Sequence, residues 1–393
     1  MHVVLVSDVM PPAIGGIETA LDTLLRLLTD IRFTVVARRP PSGRHPRFPP
    51  NVGIRYLSAG DLVQSIFSPL LPRNSRLHAP MISHVVHEWQ RRKVVGSIDA
   101  DLAHLHSYSA FRLVAGIWVR HPSYWTHRLL DWFRAFDEYG VPVLLTDHSL
   151  FGGGPEQFRS IFNGLLVDRL RFVICVEKSG KRNVDQYALE KGIDVKTGWI
   201  PNPIDSEVFA PAPYPENGVL CVGYAGRFEK EGTRDILALA SKAPSWIRIR
   251  LALAVRPEDR DRASREVGGL PVEVEWNVPN SDMPRFYQTL HVLLDPWSFG
   301  APRTVLEAMS CGRAVMRIHP EPETDPELPL DIVPVLKAVD AARVYRALEQ
   351  YRDPAVVRRA GRAGRALIER TYAAREVAAA YRRVYQQVSR KGV

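Results

Sequence analysis

Short apolar runs alternate with helically spaced apolar positions over most of the chain, and this alternation sets the expected fold class. His2 to Ser7 (HVVLVS) reads as a strand, and a helix follows from about Glu18 to Leu28. Phe33 to Ala37, Ile54 to Leu57, Asp101 to His106 and Val141 to Thr146 read as further strands, the third ending in HSYSAF with a helix expected beyond it. Between them Leu62 to Leu71 carries clustered apolar residues, Met81, Ile82, Val85, Val86 and Trp89 fall at helical spacing, and another helical pattern runs from Trp125 to Tyr139. The second half repeats the design with strands at Val219 to Ala225, Ile247 to Val255, Val272 to Trp276 and Val292 to Asp295. A helix is expected over Met283 to Leu290, and Ala341 to Val388 is largely helical. Strand, helix and strand in succession build a parallel sheet covered by helices, so each half is expected to be a Rossmann-like α/β unit.

Two turns in this pattern carry chemistry. The first strand passes through Asp8 and a Pro-rich turn to Gly15 and Gly16 at a helix mouth. A lone glycine pair usually serves backbone geometry, so this signal is weak by itself. The second turn lies in DPWSFGAPRTVLEAMSCG, Asp295 to Gly312, where a strand end meets a Gly/Pro turn and a helix opens at Pro302. The first N–H groups of a helix have no partner within it, so such a mouth suits phosphate. Glu307 cannot share the phosphate's place, but it can hydrogen-bond the diol of a ribose, and Gly300 and Ala301 offer backbone N–H groups to sugar hydroxyls. His148 stands at the carboxyl end of a strand, where open α/β sheets place their ligands. A single histidine there more often serves packing or hydrogen bonding than catalysis.

Composition narrows the setting. A chain of 393 residues is long enough for two domains, and 46% hydrophobic with 24% charged residues suits a soluble globular protein. Cys175, Cys221 and Cys311 are too few and too scattered for a disulfide framework or a metal site, which points to a reducing interior. The chain enters a strand at once, which leaves no room for a signal peptide, and no apolar run approaches the ~18 residues of a membrane span. The expected location is cytoplasmic, peripheral at the inner face of a membrane. The formal charge is +9, and Ile31 to Ile98 holds eleven Lys/Arg against two acids, Asp61 and Glu88, so this region equals the whole excess. Such a cluster attracts nucleic acid or anionic lipid by the same force, and a merely solvated surface is the third account. The apolar stripe beside Arg91, Arg92 and Lys93 is either a helix packed on the sheet or a surface helix pressed into a bilayer.

PRTVLEAMSCGRAV resembles the donor-site segment of the retaining GT-B glycosyltransferases, which use an activated sugar nucleotide. Gly15-Gly16 is similar to the loop by which that family brings its first domain against the donor phosphate and the acceptor. WIPNPIDSEVFAP resembles the family's interdomain linker at Pro201, Asn202, Asp205, Phe209 and Pro211, and YAAREVAAAYRRVYQQV resembles its closing helix. In GRFEKEGTRDIL, Arg227 matches the family's arginine for the donor diphosphate. The loop is one residue short of the family's, which puts Lys230 and Glu231 near the place of its lysine. TDHSLFG, with HSYSAF and FVICVEKSGKRN, resembles the branch that transfers N-acetylglucosamine from UDP-GlcNAc to phosphatidylinositol. The chain departs from the pattern at Phe299, where the family has the first of two glutamates, and Arg112 to Tyr139 is longer than in that branch.

The resemblance implies an α/β GT-B architecture, two Rossmann-like domains facing a cleft, with residues 1–201 and a crossover helix 372–393 in the first and residues 202–371 in the second. It implies a UDP-sugar donor held by Gly15, Gly16, Arg227, Lys230, Gly300, Ala301, Arg303, Thr304 and Glu307. His148, Arg227 and Lys230 are then the catalytic set, and Arg91, Arg92, Lys93 and His106 serve an anionic lipid acceptor at the membrane. No cofactor is expected, since positive side chains and a helix mouth can hold the leaving charge without a metal. Asp99/Asp101 leads into a strand away from the ligand side, and Asp259/Asp261 lies in a charged run, so neither pair is expected to hold a metal. Two other classes stay open: a non-catalytic sugar-nucleotide-binding subunit, to which Phe299 points, and an epimerase consuming UDP-GlcNAc without an acceptor. A nicotinamide dehydrogenase fits less well, because the first turn lacks the G-x-G-x-x-G spacing. Nucleic acid is not an expected partner, since the basic region carries no recognised motif for it; partner subunits are left open.

Overall fold

The computed structural model describes residues 1–7, 16–38, 47–57, 91–107, 112–114, 117–119, 132–148, 170–216, 218–296, 300–319, 327–337 and 340–389. The chain divides into two compact units, Met1–Asn202 with Val377–Val393, and Pro203–Glu376.

In the first unit the strands are β1 (His2–Ser7), β2 (Arg32–Arg38), β3 (Val52–Leu57) and β4 (Leu102–Ser107). A separate antiparallel hairpin of β5 (Arg112–Val114) and β6 (Ile117–Val119) follows, then β7 (Val143–Asp147), β8 (Leu170–Cys175) and β9 (Thr197–Trp199). All but the hairpin join one parallel sheet in the order β3-β2-β1-β4-β7-β8-β9. Side chains alternate across a strand, so a strand buried on both faces feeds two cores. Val4 and Val6 join Leu105, Leu145 and Val173 against Trp132, Phe133 and Phe136. Val3 and Leu5 join Phe33, Val35 and Ile174 against Leu21, Leu24 and Leu25 of α1 (Gly16–Leu27). The closing helix, Ala374–Val388, lies in this second core through Val377, Tyr381, Val384, Tyr385 and Val388, a one-sided stripe of helical period.

The segment with the open role, Arg112 to Tyr139, contains the hairpin and a helix over 132–138; residues 120–131, where the helical pattern was expected to begin, lie outside the described residues. The same holds for 39–46 and 58–90, which carry most of the basic segment and its apolar stripes. The next helix, α2 (Lys178–Lys191), follows β8 and ends on Gly192 in the left-handed region.

The second unit has β10 (Leu220–Arg227), β11 (Ile247–Ala254), β12 (Val272–Trp276), β13 (Val292–Asp295), β14 (Ala314–Ile318) and β15 (Val335–Leu336). They form a parallel sheet in the order β12-β11-β10-β13-β14-β15. Its helices are α3 (Glu231–Ala240), α4 (Arg260–Val267), α5 (Met283–Gln288), α6 (Arg303–Ser310), α7 (Ala341–Leu348) and α8 (Pro354–Leu367). Asp340 and Asp353 cap α7 and α8, each accepting a backbone N–H from the first turn, and Pro354 opens α8 where no donor is needed. Arg365 of α8 donates to the carbonyls of Ser206, Phe209 and Ser310, tying the chain that enters this unit to the end of α6.

Each sheet reverses its strand order once, between β1 and β4 in the first and between β10 and β13 in the second. At such a point the loops leaving the two strands part in opposite directions and leave a crevice at the carboxyl ends. Among the described residues, no helix is long and apolar enough to cross a membrane.

Candidate functional site

The reversal point of the second sheet brings together most of the residues expected to bind a donor. Arg227 is the last residue of β10 and its side chain is exposed. Its carbonyl accepts the Thr233 hydroxyl at 2.7 Å and the Lys230 N–H at 3.2 Å, which closes the turn into α3 from inside. Thr233 is fully buried and its Oγ1 lies 2.9 Å from the Tyr224 hydroxyl, whose pKa burial pushes up to about 12. The Arg227 guanidinium has no carboxylate partner among the described residues, so its charge faces outward. Lys230 is the exposed N-cap of α3. Close packing explains the glycine two residues on: a Cβ on Gly232 would lie 2.6 Å from Pro296, so only a bare backbone lets α3 approach the chain leaving β13.

That chain turns at Gly300, whose φ of 63° favours glycine, and enters α6 behind Pro302. Val305 and Leu306 both donate to the Pro302 carbonyl, whereas the N–H groups of Ala301, Arg303 and Thr304 have no partner among the described residues. A helix mouth with free N–H groups favours an anion. Phe299 lies outside the described residues.

Glu307 is buried at 3% exposure, and both of its carboxylate oxygens are engaged. Oε1 accepts from Arg303 Nε at 2.7 Å and Oε2 from the Tyr287 hydroxyl at 2.9 Å. Burial raises the carboxyl pKa, while the Arg303 charge and these two hydrogen bonds pull it back. Arg303 Nη1 also donates to the Pro203 carbonyl at 3.0 Å, so its side chain serves Glu307 and the linker while its backbone N–H stays open among the described residues. Tyr287, Thr233 and Arg317 belong to this site and were not singled out from sequence. No spacing marks them, because each comes from a different strand or helix.

No protein-family model matches the chain, and no curated protein matches it. Solved structures do. Sucrose-phosphate synthase from Thermosynechococcus elongatus superimposes with a TM-score of 0.69 at 16% identity, over 98% of each chain. HepE of Anabaena in complex with UDP gives 0.68 at 13% identity, over 98% of this chain and 100% of the other. A glycosyltransferase from Rickettsia africae gives 0.68 at 12% identity, over 98% of each. The chain adopts the GT-B fold.

In the first unit of this GT-B chain, Gly16 opens α1, and Gly15 lies outside the described residues. His106 near the end of β4 and His148 just after β7 meet at 3.3 Å through their Nε2 atoms, and both buried Nδ1 atoms lack a partner among the described residues. His104 is held on both sides, Nδ1 at 2.7 Å from the Tyr385 hydroxyl of the closing helix and Nε2 at 2.7 Å from Thr146 Oγ1. Burial lowers all three pKa values, His148 to about 4 and His104 to about 3, so the imidazoles are neutral at neutral pH. His148 is therefore placed as a neutral hydrogen-bonding group. Its tautomer follows from which partner donates.

The residues expected to serve the membrane are spread between core and surface. His106 is fully buried near the carboxyl end of β4, beside His148. Arg91 is 3% exposed, one helical turn before buried Val95, and its guanidinium lies 5.9 Å from the Trp132 ring centre. Arg92 pairs with Glu138 at 3.2 Å across the surface, and Lys93 is exposed, so the basic trio is split between core and solvent.

The buried histidines have a consequence for stability. The unfolded chain takes up protons below its usual imidazole pKa of about 6.5, whereas the folded chain resists them, so stability is full above that pH and falls as pH drops towards 4. Each such imidazole contributes a slope of up to about 1.4 kcal/mol per pH unit. Urea midpoints at pH 7.5, 6 and 5 are expected to decline, and His148→Gln to decline less steeply. A flat profile for the wild type would show that these imidazoles titrate normally.

Proposed function

We propose that the chain is a retaining glycosyltransferase that moves N-acetylglucosamine from UDP-GlcNAc to a hydroxyl of an inositol phospholipid. The observation that carries this reading is the meeting, at one reversal point, of an exposed arginine and a helix mouth whose first three N–H groups, like the guanidinium, have no partner among the described residues. Glu307, on the same helix and one turn deeper, is the ribose ligand of the proposal; each of its oxygens keeps a lone pair beyond the bonds to Arg303 and Tyr287. HepE, one of the similar structures, was solved with UDP and with UDP-glucose, which supports a uridine donor.

In the reaction the bond from the anomeric carbon to the diphosphate oxygen breaks, and the acceptor oxygen bonds that carbon on the same face. The acceptor's proton passes to the leaving phosphate oxygen, so charge and atoms balance without a protein base. Arg227, Lys230 and the free N–H groups stabilise the leaving charge, and no metal is needed for that role. Of the two Asp-x-Asp pairs, Asp101 accepts the His2 N–H at 2.8 Å and Asp259 pairs with Arg262 at 3.0 Å.

Calorimetry tests the donor site. Wild type is expected to bind UDP, and Glu307→Gln to bind it more weakly by about 1–3 kcal/mol, the size of a charge-assisted hydrogen bond lost beside buried partners. Unchanged affinity would remove Glu307 from the site. UDP release from UDP-GlcNAc is expected only with inositol lipid present; consumption of donor without lipid would favour the epimerase. The lipid acceptor rests on the basic charge of Ile31 to Ile98 and on the resemblance of TDHSLFG. It implies a cytoplasmic, peripheral enzyme that pellets with anionic vesicles. Arg92→Glu with Lys93→Glu should weaken that binding by about 1 kcal/mol per residue. Equal pelleting of variant and wild type would dismiss this surface.

A further inference from the structure

The carboxyl end of β13 is held by a buried ion pair that the proposed reaction does not use. Asp295 and Arg317 stand opposite each other in the register of β13 and β14, and Arg317 is 1% exposed. Arg317 Nε donates to Asp295 Oδ2 at 3.1 Å, and Nη2 donates to the Gly300 carbonyl at 2.8 Å. A guanidinium holds its donors in one rigid plane, so anchoring one edge on Asp295 aims the other. A trans peptide unit is also planar, with its C=O and N–H on opposite sides. Drawing the Gly300 oxygen inward to Arg317 therefore turns the Ala301 N–H outward. That N–H has no partner among the described residues, and it sits beside the free N–H groups of Arg303 and Thr304. Gly300 holds this turn with a left-handed φ of 63°, which favours glycine.

We propose that Arg317 is a positioning residue of the diphosphate site: it does not touch the donor, but it fixes the direction of the Ala301 N–H that does. This rests on the reading of the α6 mouth as the place of the diphosphate. A residue that only supports the fold is felt equally by every ligand of the unit. A residue that aims one N–H at a phosphate is felt by UDP and not by uridine.

The test compares wild type with Arg317→Lys, using calorimetry with UDP and an NMR titration with uridine, beside a thermal melt. Lysine keeps a cation against Asp295 but lacks the planar fork. The expected result is a melt close to wild type, UDP binding weaker by about tenfold, the size of one hydrogen bond to a charged group, and unchanged uridine binding. Should Arg317→Lys melt well below wild type, the double variant Asp295→Asn with Arg317→Gln, which removes both charges together, takes its place in the same comparison. Equal UDP affinity in variant and wild type overturns the proposal, and so does an equal loss for UDP and uridine, which assigns Arg317 to the fold alone. A wild type that binds neither ligand overturns the donor-site reading itself, and with it this role for Arg317.

Discussion

For the proposed transfer reaction, Arg227→Ala is expected to lower donor turnover by about 10²–10³-fold, the range seen when one preorganised group that stabilises transition-state charge is removed. The argument begins with the turn. The Arg227 carbonyl, not its side chain, is what Thr233 and Lys230 hold, so the loop keeps its shape when the guanidinium is cut away. The side chain is exposed and has no carboxylate partner among the described residues, so its loss leaves no buried charge behind. The thermal melt should therefore stay close to wild type. Charge on the leaving diphosphate grows as the sugar bond breaks, so the effect should fall mainly on kcat, with KM for the donor moving less. Steady-state UDP release with inositol lipid, measured beside the melt, provides the check. A variant within about threefold of wild type would take Arg227 out of the chemistry, and a rise in KM alone would make it a ground-state contact.

Arg317→Met should destabilise the second unit by about 3–5 kcal/mol, the cost of leaving one member of a buried ion pair without its partner. Asp295 is 6% exposed and would lose this guanidinium while staying in the same low-dielectric surroundings. The Gly300 carbonyl would lose its donor at the same time. Adding Asp295→Asn should recover much of the loss, because the carboxylate charge that faced Arg317 is then gone as well. Urea unfolding followed by fluorescence reports on this unit through Trp246 and Trp276, both packed against its core. A single variant as stable as wild type would mean that other groups around Asp295 compensate its charge.

The strand and helix alternation was legible because it is local. β1, β11, β12 and β13 fall within a residue or two of where the apolar runs put them, and α6 opens behind Pro302 as its turn residues require. Short elements escaped. β9 is three residues of TGW, and β15 is only two residues long, so neither offers a period to read. The hairpin β5–β6 stands where a helix was expected beyond HSYSAF, because two three-residue strands give no period by which to tell them from a helix turn.

By itself the sequence determined that this chain forms two parallel α/β units, that Arg227 follows closely on a strand, and that a helix mouth with Glu307 one turn inside follows another. These depend on neighbours a few residues apart, which a pattern can carry. Only the tertiary structure decided what surrounds them. Tyr287 reaches Glu307 from 20 residues earlier, and Arg317 reaches Asp295 from 22 residues later, because strand order and not chain order sets who is adjacent. Tyr385 meets His104 from 281 residues away, since the closing helix lies in the core of the first unit. Arg91 and Arg92 are neighbours of the same type, yet one is buried and the other exposed, because a helix turns successive side chains by about 100° and the packing of its face decides which goes inside.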